Sequence, residues 1–198
     1  VPTFEEQGFA GIQGVESYGL FLPARTPAAQ VERLAELARV ADAVTTEFEN
    51  VPAAALATLG AQRPVSPAAS AVSVAQDRAR EKAHFVACGV PCAPYAVIET
   101  AEQLSAVSAD LLPGILKTAR MGYDGKGQAS VGSCAELASA WQALGCVPCV
   151  LEQRLVLQQE CSVIVARGRD GQAVSLPAQR NRHHNGILAV TEVHGATL

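Results

Sequence analysis

The segment Pro113-Gly-Ile-Leu-Lys-Thr-Ala-Arg-Met-Gly-Tyr-Asp-Gly-Lys-Gly-Gln128 concentrates groups suited to holding phosphate. A strand-like run carries Lys117, after which Gly122, Gly125 and Gly127 bracket Tyr123, Asp124 and Lys126. Glycines let successive backbone N–H groups curl around an anion, and two ammonium groups add charge-assisted contacts from the strand and the loop. The same residues also spell a β-hairpin, because Asp124-Gly125 between two apolar runs is a strong turn signal. A hairpin tip can itself cover a phosphate, so the two readings are compatible. The Walker pattern GxxxxGK[ST] is absent. Lysine usage points the same way: the chain has twelve arginines but only three lysines, Lys82, Lys117 and Lys126. Where arginine is the default cation, lysine marks a place that wants a compact charge.

Glu152 and Glu160 stand eight residues apart at the end of one apparent strand and the start of the next. The plainer reading is two exposed acids. The chemical reading is an open backbone that hydrogen-bonds a flat nitrogen base, with a carboxylate accepting from ribose hydroxyls. His183 and His184 lie among polar residues, and adjacent positions on a strand face opposite sides, so at most one serves a given site. Glu47 and Glu49 share a strand face, where divalent-metal binding competes with a helix start at Asn50. The six cysteines include Cys146-Val-Pro-Cys149, but this pair leads into the strand-like VLEQRLVL rather than the helix that lowers a redox thiol's pKa. Reduced thiols filling packed space are expected, and no metal site.

The 198 residues are 49% apolar and carry a net charge of −4, with no basic run to neutralise phosphates of a nucleic acid. No apolar run reaches the roughly 18 residues of a membrane span, and no secretory leader is visible at VPTFEEQGFAG. A soluble cytoplasmic chain acting on small molecules is expected, with neither nucleic acid nor membrane as partner.

Several elements must position these groups. Residues 1–26 show no clear period. Thr26-Pro27 opens a helix carrying Val31, Leu34, Leu37, Ala38 and Ala41, followed by a strand over 43–48 and a short helix over 52–59. One helix is expected over 66–88, stopped by Gly89 and Pro91. Strands are expected at 95–98, 114–118, 128–131 and 149–157, with capping boxes at Thr100/Gln103 and Ser133/Glu136. Beyond Glu160 the pattern is β-rich, with Asp170-Gly171 as a hairpin turn. Runs of strands with interspersed helices make this α+β (mixed α/β), with no internal repeat.

In this order, TTEFENVP at 45–52, Gln76-Asp77-Arg78 with Glu81-Lys82, LKT at 116–118, GYDGKGQ at 122–128, Leu151-Glu152, Glu160-Cys-Ser-Val-Ile-Val-Ala-Arg167 and Asn185-Gly-Ile-Leu188 resemble the 5-(carboxyamino)imidazole ribonucleotide synthases. These are ATP-grasp ligases of purine biosynthesis, usually dimers. The resemblance runs from about Pro27 to the last residue. It implies an ATP-grasp fold: residues 1–76 as remnant of an N-terminal Rossmann-like domain, 77–155 as the small lid domain, and 156–198 as the start of the large domain. It also implies bicarbonate activation by ATP to carboxyphosphate and carboxylation of aminoimidazole ribonucleotide.

Carried over, Arg78 and Lys117 contact ATP, and Gly122, Tyr123, Asp124, Gly125, Lys126, Gly127 and Gln128 form the phosphate loop. Glu152, Gln153, Arg154 and Leu155 form the adenine hinge, Glu160 accepts from ribose, and His183 adds a nucleotide contact. Asp124 and Lys126 are the catalytic candidates, where relatives approach the imidazole substrate. The resemblance places the Mg2+ ligands after Leu198, in an acidic and asparagine set, so the chain reads as a fragment. Thr46 and Arg180 depart from residues common in the family, aromatic and Glu respectively. Another ATP-grasp carboxylate–amine ligase, or a nucleotide-binding fragment without turnover, remains an alternative.

Overall fold

The computed structural model describes residues 36, 38–46, 50–122, 126–168, 170–184 and 187–193. The chain divides into two compact units, Val1–Gln76 and Asp77–Leu198.

In the first unit, helix α1 (Ala53–Gly60) starts after Pro52, and α2 (Ala69–Ala75) follows a short loop. Leu56 of α1 packs with Val51 and with Val72 of α2, while Leu59 packs with Ala38. The buried Gln76 amide donates to the Val51 carbonyl, satisfying a polar group that burial would otherwise penalise. The expected strand over 43–48 reduces, among its described residues, to a single parallel bridge between Val44 and Val65. Glu47 and Glu49 lie outside the described residues.

The second unit opens with α3 (Arg78–Ala87). The single helix expected over 66–88 is broken, because Asp77 is extended and its Oδ1 accepts from the Ala79 and Arg80 N–H groups at 3.1 and 3.3 Å. A short acidic side chain bonds its own downstream backbone more readily than it continues a helix, so Asp77 starts a new one. Asp77→Ala should cost about 1 kcal/mol of stability through loss of this cap, read as a lower urea midpoint.

A four-stranded antiparallel sheet follows, built from β1 (Tyr95–Ile98), β2 (Gly114–Thr118), β3 (Gln128–Val131) and β4 (Cys149–Gln153) in the order β1-β4-β2-β3. Strand alternation gives it two unlike faces. Ile98, Leu116, Val131, Cys149 and Leu151 turn to one side and form the core with Leu137 and Trp141 of α5 (Cys134–Ala143). Lys117 and Glu152 are on the other. The capping box at Thr100 forms in full before α4 (Ala101–Ser105), with Thr100 Oγ1 accepting from Gln103 N–H and Gln103 Oε1 from Thr100 N–H. At Ser133 only the first half forms, Ser133 Oγ accepting from Glu136 N–H while the Glu136 carboxylate takes the Gly132 N–H instead. The Trp141 indole N–H donates to Val147 O at 2.9 Å, tying α5 to the loop that feeds β4.

The strand expected over 149–157 ends at Gln153 instead. The residues facing its end are Pro94 and Pro113, which accept from Gln153 and Arg154 N–H at 2.9 Å but have no N–H to return, so the ladder stops. Beyond lies an exposed connection with Leu155, Val156 and Leu157 in solvent. The remainder is antiparallel: β5 (Glu160–Ser162), β8 (Gln179–His184) and β9 (Ile187–Val193) form one sheet, and β6 (Val165–Arg167) with β7 (Ala173–Ser175) a ribbon. The ribbon turns at Asp170-Gly171 as expected, Gly171 taking φ +83°.

The expectation of space-filling thiols holds for Cys149 alone among residues described as buried. Cys88, Cys134, Cys146 and Cys161 are exposed and Cys92 intermediate, because they fall at helix ends, in loops and on the uncovered β5. Burial, with Cys146 nearby, pushes the Cys149 thiol up to about 11, so it packs as a neutral side chain at pH 7. No three His, Cys, Asp or Glu side chains among the described residues converge on a metal position. No helix among them is long and apolar enough to cross a membrane.

Candidate functional site

The register pairs Ile115 with Glu152 and Lys117 with Val150, so Lys117 and Glu152 are diagonal neighbours on the face away from the core. Lys117 Nζ lies 3.2 Å from Glu152 Oε1, and Lys82 Nζ reaches Oε2 at 3.4 Å from helix α3. The three side chains are only 13–23% exposed, so solvent screens them less than an ordinary surface pair. Lys82 also stands over the Tyr95 ring, 5.2 Å from its centroid. Two ammonium groups on one carboxylate leave one positive charge in surplus, which suits an anion.

Arg78 lies one turn before Lys82, so both project from one side of α3. Its N–H donates to Ala119 O at 2.9 Å, fastening the helix start to the end of β2. There the glycine-rich loop begins. A Cβ added to Gly122 would stand 3.3 Å from Thr118 Oγ1 and 3.4 Å from Arg78 Nη2, so the guanidinium borders the loop stem. The stem is closed by Thr118 N–H donating to Gly127 O at 2.8 Å. Gly127 has φ +73°, and a Cβ there would fall 2.6 Å from Thr118 Oγ1. Both the backbone and the close approach therefore require glycine.

Tyr123, Asp124 and Gly125 lie outside the described residues. Lys126 is exposed beside them, and Gln128 pairs across from Lys117. The structure thus brings Arg78, Lys117, Gly122, Gly127, Gln128 and Glu152 to one region. Of the expected hinge, Gln153 donates through Nε2 to Asp110 O at 2.9 Å, Arg154 N–H donates to Pro113 O at 2.9 Å, and Leu155 is half exposed. Glu160 and His183 form a separate pair on the second sheet, Nε2 to Oε1 at 3.4 Å. Arg180 sits on the same β8 strand, opposite Cys161 and Glu192. Sequence reasoning gave Lys82 no role, although its membership of a three-lysine set was a signal.

Residues 83–196 match the ATP-grasp domain, and residues 25–76 match the ribonucleotide synthetase preATP-grasp domain. The N5-carboxyaminoimidazole ribonucleotide synthase of Pseudomonas aeruginosa is 40% identical over 161 residues, which cover 81% of this chain and 45% of that protein. The crystal structure of the corresponding synthetase from Thermus thermophilus is 37% identical and superposes with a TM-score of 0.72, covering 84% of this chain and 45% of that one. That of the Staphylococcus aureus enzyme complexed with ADP is 31% identical with a TM-score of 0.75, covering 81% and 43%. The chain spans about half the length of the curated relatives it matches. The expected mixed α+β fold and the family resemblance read from the motifs are both upheld by these matches: the chain belongs to the ATP-grasp family, and within it is similar to the N5-carboxyaminoimidazole ribonucleotide synthases.

Proposed function

We propose that the chain takes part in the ATP-dependent carboxylation of 5-aminoimidazole ribonucleotide. In that reaction bicarbonate attacks the γ-phosphorus of ATP, giving carboxyphosphate and ADP. The amine nitrogen then bonds to the carboxyl carbon, and phosphate leaves with the electrons of the broken C–O bond. The observation that carries the reading is the Lys117–Glu152–Lys82 cluster beside a loop stem whose geometry requires glycine.

ATP and bicarbonate are both anions, so cations must offset their repulsion as they meet. Arg78, Lys117 and Lys126, with the backbone of 122–128, supply that charge in this reading. Glu152 to Leu155 hold the adenine, Glu160 the ribose hydroxyls and His183 a further nucleotide contact. Asp124 and Lys126 meet the imidazole substrate at the loop tip. Residues 77–155 act as the lid over the nucleotide, 1–76 belong to the preceding domain and 156–198 to the larger one. Mg2+ accompanies ATP in this reading, although no three His, Cys, Asp or Glu side chains among the described residues converge to hold it. A cytoplasmic homodimer is the setting that the family resemblance supports.

The test is ADP release from Mg-ATP by the chain, with bicarbonate and aminoimidazole ribonucleotide added singly and together. Release is expected only when both are present, and is lost in Lys117→Ala. Release supported by bicarbonate with a different amine would reassign the substrate within the family. A chain that binds Mg-ATP but never turns over would be a nucleotide-binding unit, and one that does not bind it would overturn the reading.

A further inference from the structure

We infer that Lys82 is a positioning residue for the nucleotide site, acting through Glu152 rather than on the nucleotide. This rests on the reading that Lys117 contacts ATP. Glu152 divides its carboxylate between two lysines, Lys117 on Oε1 at 3.2 Å and Lys82 on Oε2 at 3.4 Å. Lys82 is the more buried of the two ammonium side chains, 13% exposed against 23%. It is held from a second side by the Tyr95 ring, and its helix is fastened to β2 through Arg78 N–H and Ala119 O. Lys117 has no such second restraint among these contacts and lies on the strand that leads into the glycine-rich loop.

The asymmetry gives the two lysines different work. When an anionic phosphate draws Lys117 away, Glu152 is left without that partner. A partly buried carboxylate stripped of its only cation is costly, and the cost would come out of nucleotide affinity. Lys82 prevents this by remaining on Oε2. It also splits the carboxylate's attraction beforehand, so Lys117 is held less tightly before the nucleotide arrives. The surplus charge of the trio is thereby made available at Lys117.

The test is Mg-ADP affinity by titration calorimetry on the full chain for wild type, Lys82→Met, Lys82→Arg, Glu152→Gln and the Lys82→Met/Glu152→Gln double variant. Circular dichroism and thermal melting would establish that each is folded. Lys82→Met should weaken binding about tenfold, and Lys82→Arg, which keeps a cation on Glu152, should stay within about threefold. In the Glu152→Gln background the Lys82→Met change should shrink to less than about twofold, because the acid through which it acts is gone. An equal loss in both backgrounds would overturn the inference and make Lys82 a direct contact. Wild-type affinity in Lys82→Met would overturn it while leaving Lys117 in place. Failure of the wild type to bind would remove the inference together with the reading beneath it.

Discussion

Alanine at Gly114 is expected to destabilise the four-stranded sheet by about 3 kcal/mol, the upper end of the usual cost of overpacking a filled interior. Gly114 is buried at the start of β2, paired with Val131 on one side and Gln153 on the other. A Cβ built there falls 2.7 Å from Leu111 O, 2.8 Å from Leu151 Cδ1 and 3.0 Å from Glu152 O. Two of those three atoms are backbone, so no rotamer change clears them. Leu151 is fully buried against Leu116 and Trp141 of the same core and has nowhere to turn. The methyl must push β2 from β4, which loosens the strand pair that carries Lys117 and Glu152. Urea unfolding should show a markedly lower midpoint, and Mg-ADP affinity should fall with it. An unchanged midpoint would mean that β2 can slide away from β4 without loss, against the tight register observed.

What could be read from the sequence was local. The capping box at Thr100, the helix start at Ser133, the Asp170-Gly171 turn and the stem of the glycine-rich hairpin are each decided within a few residues, and each forms. The end of β4 was not local: 154–157 are as strand-like as 149–153, and pairing stops because the residues brought opposite, Pro94 and Pro113, have no N–H to donate. The break at Asp77 was legible in principle, since a capping residue lay in plain view, but apolar spacing on both sides outweighed it. Cysteine burial was misjudged because it depends on which face is covered. The site divides the same way. Lys117, Glu152 and the loop glycines carry recognisable neighbours in the chain, whereas Lys82 joins them only because α3 lies across the sheet and reaches β4 from outside.

Lys117→Ala should weaken Mg-ADP binding about five- to 150-fold, the range for loss of one charge-assisted contact worth about 1–3 kcal/mol. The full Coulomb attraction is not recovered on binding, because Lys117 already has a partner in Glu152 at 3.2 Å and must exchange one anion for another. The net gain is the difference between the two, enlarged by the surplus positive charge that Lys82 contributes. Stability should respond much less. Removing the ammonium leaves Glu152 with Lys82 at 3.4 Å, so no bare carboxylate is stranded, and the Lys117 stem is not part of the apolar core. An unfolding free energy within about 1 kcal/mol of wild type is expected from urea titration, as for a partly exposed pair. Affinity lost with stability kept is the opposite of a merely structural lysine, whose removal would lower the midpoint first. Lys117→Arg should not fully rescue binding, since a guanidinium fork pairs with both oxygens of Glu152 and is held back from the phosphate. Titration of the two variants side by side checks both parts, and an Mg-ADP affinity unchanged in Lys117→Ala would take this residue out of the nucleotide site.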